Sequence, residues 1–217
     1  MKLKKIASLA LAGVMAVSML AGCKTVSEQP ENPSNPETPV ASSASTTLYN
    51  ELSADTRLAI TSASANSTLE SALSKTTATY WNSNDFGYWF NKASANDSTP
   101  YVDQFSNGPM LEEVAYALKA KTVFDGAFKD TKGGVTVVKV YITGGHSEDG
   151  SLAWVAKAVD QDVAGKLPTS GTKDGVKYEY DYTISASVVD MDRNWVGDVT
   201  QNMKFVAVAV TQTATEV

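Results

Sequence analysis

The stretch VKYEYDYTISASV, Val176 to Val188, decides the fold. Val176, Tyr178, Tyr180, Tyr182, Ile184, Ala186 and Val188 alternate with Lys177, Glu179, Asp181, Thr183, Ser185 and Ser187. Successive side chains of a strand point to opposite faces, so a period of two predicts a strand with one buried and one solvated face. Three further strands are expected around it. Val135 to Thr143 is apolar at nearly every position, as a central strand covered on both faces would be. Leu152 to Val159 is read as a returning strand after the turn-rich connection Gly144 to Gly150, and Met203 to Thr213 is the last.

Upstream, the periodicity changes to that of helices. Leu111, Val114, Ala115 and Leu118 form an i, i+3, i+4, i+7 stripe, with Pro109 suited to a first helical position. Glu112 and Glu113 favour the positive end of the helix dipole, and Lys119 and Lys121 favour the other. A helix is therefore expected from Pro109 to about Thr122. Between Leu48 and Tyr80, leucines at roughly helical intervals and a Ser67-x-x-Glu70 capping box suggest two helices. The alternative for part of this segment is a short strand at Arg57 to Thr61. Helices first and strands last predict an α+β domain over residues 47–217, with N-terminal helices packed on one face of a roughly four-stranded antiparallel sheet.

Residues 24–46, KTVSEQPENPSNPETPVASSAST, have almost nothing apolar to bury. Pro30, Pro33, Pro36 and Pro39 recur with the three-residue turn of polyproline II, so the segment is expected to be a disordered, semi-stiff linker. At ~3.1 Å per residue it can reach about 70 Å.

Before it, Lys2, Lys4 and Lys5 precede an uncharged apolar run, Ile6 to Met19, and then Leu20-Ala21-Gly22-Cys23. The order of charge, short apolar run and small residues is that of a cleaved export signal rather than a membrane span. Leu20-Ala21-Gly22-Cys23 resembles the lipobox of bacterial lipoproteins. The resemblance implies that residues 1–22 are removed, that Cys23 is acylated with diacylglyceryl, and that a lipid bilayer is the first partner. It also implies display on the outer face of a plasma membrane, or at the outer membrane of a two-membrane envelope, where Lys24 departs from the Asp of inner-membrane retention. No family is recognised for residues 47–217.

Loss of residues 1–22 removes three lysines and no acid, leaving 15 basic against 24 acidic residues, a charge of −9. Such a chain lacks the basic patches that nucleic acid demands. Cys23 is the only cysteine, so no disulfide is expected and the core alone must hold the domain.

Four constellations carry possible chemistry. Six aromatics fall within residues 80–90: Tyr80, Trp81, Phe86, Tyr88, Trp89 and Phe90. Rings on a loop stack on sugars or grip peptides, and Asp85 adds a directional hydrogen bond, so Trp81, Asp85, Phe86, Tyr88 and Trp89 are the candidate ligand-binding set. Their bland reading is a core between helices and sheet. Asp190-Met191-Asp192-Arg193-Asn194 opens like a calcium loop, but Trp195 replaces the turn glycine and Gln201 the bidentate glutamate, which favours an ordinary hairpin loop. His146 is the sole histidine, so multi-histidine metal sites are excluded, and without a Gly-x-Ser-x-Gly elbow it reads as a solvated turn residue. Ser170-x-x-Lys173 has the spacing of penicillin-binding enzymes, yet Asp174-Gly175 and a strand follow instead of a helix. No metal or other cofactor is expected. The leading expectation is a non-catalytic surface module binding a glycan, peptide or envelope partner. An envelope hydrolase using His146 or the acids is one alternative, and a structural or assembly lipoprotein is another.

Overall fold

The computed structural model describes residues 42–80, 101–105, 109–132, 134–144, 147–194 and 200–217, with backbone alone for 101–105, 192–194 and 200–202. The candidates Cys23, Trp81, Asp85, Phe86, Tyr88, Trp89 and His146 lie outside the described residues. In chain order the elements are α1 (Ser43–Glu51), α2 (Ala54–Ala59), β1 (Ile60–Ala63), α3 (Ser67–Tyr80), β2 (Tyr101–Phe105) and α4 (Pro109–Leu118). Then come β3 (Val135–Gly144), α5 (Glu148–Val163), β4 (Ser170–Lys173), β5 (Val176–Asn194) and β6 (Thr200–Glu216). The domain is α+β.

The sheet is built on β5. Its order is β1-β5-β6-β3-β2, and β4 pairs with the first residues of β5 along the same edge that β1 uses further on. β5 and β6 run antiparallel from Tyr178 opposite Glu216 to Asn194 opposite Thr200. β3 is antiparallel to β6, and β2 to β3. β1 pairs with β5 in parallel, so the sheet is mixed, with six strands among the described residues where four antiparallel ones were expected.

The alternation of β5 holds on its buried side. Tyr178, Tyr180, Tyr182, Ile184 and Ala186 join Leu48, Leu52, Val155 and Val159 in one core beneath α1 and α5. The opposite side is solvated only at first: Lys177, Glu179 and Asp181 are exposed, while Ser185 and Ser187 are buried. A second core lies on that face, where Leu69 and Leu73 of α3 and Leu111 and Val114 of α4 meet Val138, Val140, Phe205 and Ala207. Helices therefore cover both faces, which corrects the one-faced arrangement. The cause is legible in β3 and β6, whose apolar residues stand at both parities and need a partner layer on each side.

Residues 152–159 form helix and not the returning strand. Leu152, Val155, Ala156, Val159 and Val163 are buried at helical spacing, and the Ser147 side chain caps the first turn by accepting from the Gly150 N–H. The serines that weaken helix propensity inside a helix begin helices here. Ser42 and Ser53 cap α1 and α2 in the same way, and Asn66, not Ser67, caps α3 by accepting from the Leu69 N–H at 3.0 Å. The alternative strand at Arg57 to Thr61 is half right, since Arg57 lies in the last turn of α2, which ends at Ala59, and Ile60 begins β1.

Two boundaries also shift. α1 begins at Ser43, inside the segment read as linker, and its Ala44 and Ser45 are buried. α4 ends at Leu118 because Lys119 turns left-handed (φ 51°). The Lys119 and Ala120 N–H groups return to the carbonyls of Tyr116 and Ala115, a Schellman stop.

Candidate functional site

The polar heart of the domain lies at the end of the sheet where β5 and β3 begin and β6 ends. Gln212 is fully buried in β6, so every polar atom of its amide needs a partner. Its Nε2 donates to the Tyr182 hydroxyl oxygen at 2.9 Å and to the Phe128 carbonyl at 3.0 Å. Its Oε1 accepts from the Thr131 hydroxyl at 2.6 Å. The Tyr182 hydroxyl donates onward to the Pro168 carbonyl at 2.8 Å. The Tyr180 hydroxyl donates to the Thr131 carbonyl at 2.9 Å and accepts from its N–H at 3.1 Å. Burial pushes Tyr182 up to about 12, so at neutral pH it is a neutral hydrogen-bond donor and not a base.

This network ties two surface segments to the sheet. Residues 124–132 are held through Phe128 and Thr131, and residues 164–170 through Pro168. Phe124 and Phe128 are buried below the first segment, and the Phe128 ring meets Tyr182 edge-on at 5.2 Å. Left-handed turns at Gly126, Asp130 and Gly165 carry the chain back outward. Between the segments opens a cleft of about 480 Å³, lined by Asp125, Lys129, Asp130, Lys166, Pro168 and Ser170. A second cleft of about 360 Å³ shares Gly165 and Leu167 with it and is lined by Asp55, Thr56 and Asp160. Both volumes fall in the range of small-ligand sites, about 300–1,000 Å³. The Asp160 carboxylate is already engaged, accepting from the Ser53 N–H at 3.0 Å and its hydroxyl at 3.1 Å. At the opposite ends of α1 and α5, a smaller cavity of about 180 Å³ is lined by Ser42, Asn66, Glu70, Glu148 and Ser187.

Other sequence candidates find ordinary places. Asp190 to Asn194 are not the hairpin loop expected but the last residues of β5, paired in register with Lys204 to Thr200 of β6, so the strand runs on past the alternating stretch. The Asp190 carboxylate pairs with the Lys204 ammonium at 2.9 Å. Among the described residues no three of His, Cys, Asp and Glu are grouped as a metal would require. Ser170 and Lys173 are exposed ends of β4, and Asp174 and Gly175 form a turn with both φ positive (53° and 81°), as a two-residue hairpin requires. Lys132 reaches that turn with an ion pair to Asp174 at 2.7 Å, which holds the Asp174 carboxyl below its usual range. Tyr80, the one described ring of the aromatic run, closes α3 and donates to Glu113 of α4 at 2.5 Å.

Apart from Ser170, the residues that shape the cleft were not among the sequence candidates. The available signal was Gln212, a lone amide in the apolar run of β6, together with hydroxyls at Tyr180 and Tyr182 on a face that must be buried. Compared with protein-family models, with curated proteins and with solved structures, the chain matches none.

Proposed function

We propose that the protein is a bacterial surface lipoprotein, anchored in a bilayer through acylated Cys23, whose α+β domain is a non-catalytic binding module. The observation that carries the anchoring is the sequence order from Lys2 to Leu20-Ala21-Gly22-Cys23, with the proline-spaced linker behind it. The binding half is supported by the cleft between residues 124–132 and 164–170, whose walls are held by buried hydrogen bonds. The aromatic set Trp81, Asp85, Phe86, Tyr88 and Trp89, the leading candidate from sequence, is a second surface, with a glycan, peptide or envelope protein as ligand.

Anchoring is tested in a bacterial host by metabolic labelling with an alkyne fatty acid and membrane fractionation. The wild-type chain is expected to take label and follow the membrane fraction. Cys23→Ala is expected to lose both, and label retained by that variant would overturn the reading. For the aromatic set, Trp89→Ala is expected to leave thermal unfolding unchanged and abolish retention on a cell-wall column. A melted variant would place that ring in a core.

A further inference from the structure

We propose that the cleft between residues 124–132 and 164–170 takes short peptides by their charged groups, a ligand carrying both an ammonium and a carboxylate. This deepens the binding-module reading above and rests on it.

The cleft presents both signs of charge. Asp125, Asp130, Lys129 and Lys166 line it, and none of the four side chains has an ion-pair or hydrogen-bond partner among the described residues. Some carboxylates elsewhere are engaged, Asp174 with Lys132, Asp190 with Lys204, Asp160 with Ser53 and Asp162 with the Tyr141 hydroxyl. Others, such as Glu51, Asp149 and Asp181, are exposed surface charges. What sets the four apart is that both signs line one concavity. Opposite charges in one concavity that do not neutralise each other stay available to a ligand of complementary pattern. The neighbouring cleft adds Asp55 and continues the groove across Gly165 and Leu167.

The walls favour a peptide over a neutral sugar. Sugar faces stack on exposed rings, and among the described residues the one aromatic lining the cleft, Phe128, is fully buried. Leu167 and Pro168, both half-buried, offer aliphatic contact of the kind a peptide side chain uses. Because Tyr182 and Gln212 fix the main chain of both walls, little ordering opposes binding.

The test is isothermal titration calorimetry on the full-length protein in detergent micelles, with three probes. These are tetra-alanine with free termini, the same peptide acetylated and amidated, and the tetrasaccharide of N-acetylglucosamine. The free peptide is expected to bind and to weaken as salt is added. The capped peptide and the sugar are expected to give no heat. Lys129→Gln with Lys166→Gln, at solvent-facing positions whose loss leaves the melting temperature unchanged, is expected to weaken the free peptide about five- to tenfold. No binding of free tetra-alanine at millimolar concentration, equal binding of the capped form, unchanged affinity in the double variant, or binding of the sugar instead would each overturn the proposal. Because the probes report on the purified protein, their failure leaves the anchoring reading standing, and an unlipidated Cys23 leaves the peptide result standing.

Discussion

At Ala186 the outer edge of β5 has passed the end of β1, and its N–H and C=O are met by the Ser45 hydroxyl at 2.9 and 3.2 Å. A buried serine of α1 thus takes the place of a strand neighbour. Ser45→Ala leaves these groups short of partners and is expected to cost about 1–3 kcal/mol in denaturant unfolding. Tyr182 makes a prediction about pH. Its folded value is raised from the usual 10.0 to about 12, so its contribution is fully present below pH 10 and is lost as pH rises toward 12. The denaturation midpoint of the wild type is expected to fall across that window, and that of Tyr182→Phe to fall less steeply. An identical alkaline slope in the variant would refute the assignment. The burial of these tyrosines was legible in the alternation from Val176 to Val188, but their partners were not. Gln212 and Thr131 come from distant parts of the chain, and only the closed sheet brings them to the two hydroxyls.

Where the elements differ from the sequence expectation, the deciding features are caps and the opposite face rather than side-chain period alone. The 152–159 segment contains apolar residues at adjacent positions, Val155 and Ala156, which a half-buried strand would not bury together and which α5 buries completely. Ser147 with Glu148 and Asp149 just ahead of it was the helix-start signal. β5, β6, β3 and α4 were legible because their patterns are long and uninterrupted, whereas β1 and β4 are four residues each and too short to show a period. The stop of α4 offers a test of local geometry. Lys119 occupies a left-handed position that glycine adopts at no steric cost, so Lys119→Gly is expected to stabilise the domain by up to about 1 kcal/mol in chemical denaturation. Destabilisation by that substitution would contradict the Schellman stop. Gly171 of β4 is constrained differently. A Cβ there would run into the Tyr180 ring, whose hydroxyl is pinned by Thr131. Gly171→Ala is expected to lower the melting temperature, and a variant that melts as the wild type does would show that Tyr180 moves freely.

For the whole molecule, the arrangement of α1 and α5 sets the end of the domain at which the proposed tether would join. Ser42 and Glu148, at the starts of these helices, line one cavity, while Ser53 and Asp160, near their ends, line the acidic cleft. A tether arriving at Ser42 therefore joins the domain at the far end of α5 from the peptide cleft, a helix of 16 residues or about 24 Å. Energy transfer to an acceptor in the bilayer is expected to be stronger from a dye on Glu148→Cys than from one on Lys129→Cys. The reverse order would turn the cleft toward the membrane. This arrangement is not legible in the sequence, because it depends on α5, whose apolar residues at 152–159 carry no clean helical stripe. The proposed anchor rests on the sequence alone. The most direct measurement is the mass of the N-terminal peptide of the protein purified from the membranes of its bacterial host. A chain that starts at Cys23 and carries diacylglyceryl is expected, and a chain that retains residues 1–22 or bears an unmodified Cys23 would contradict the anchored reading.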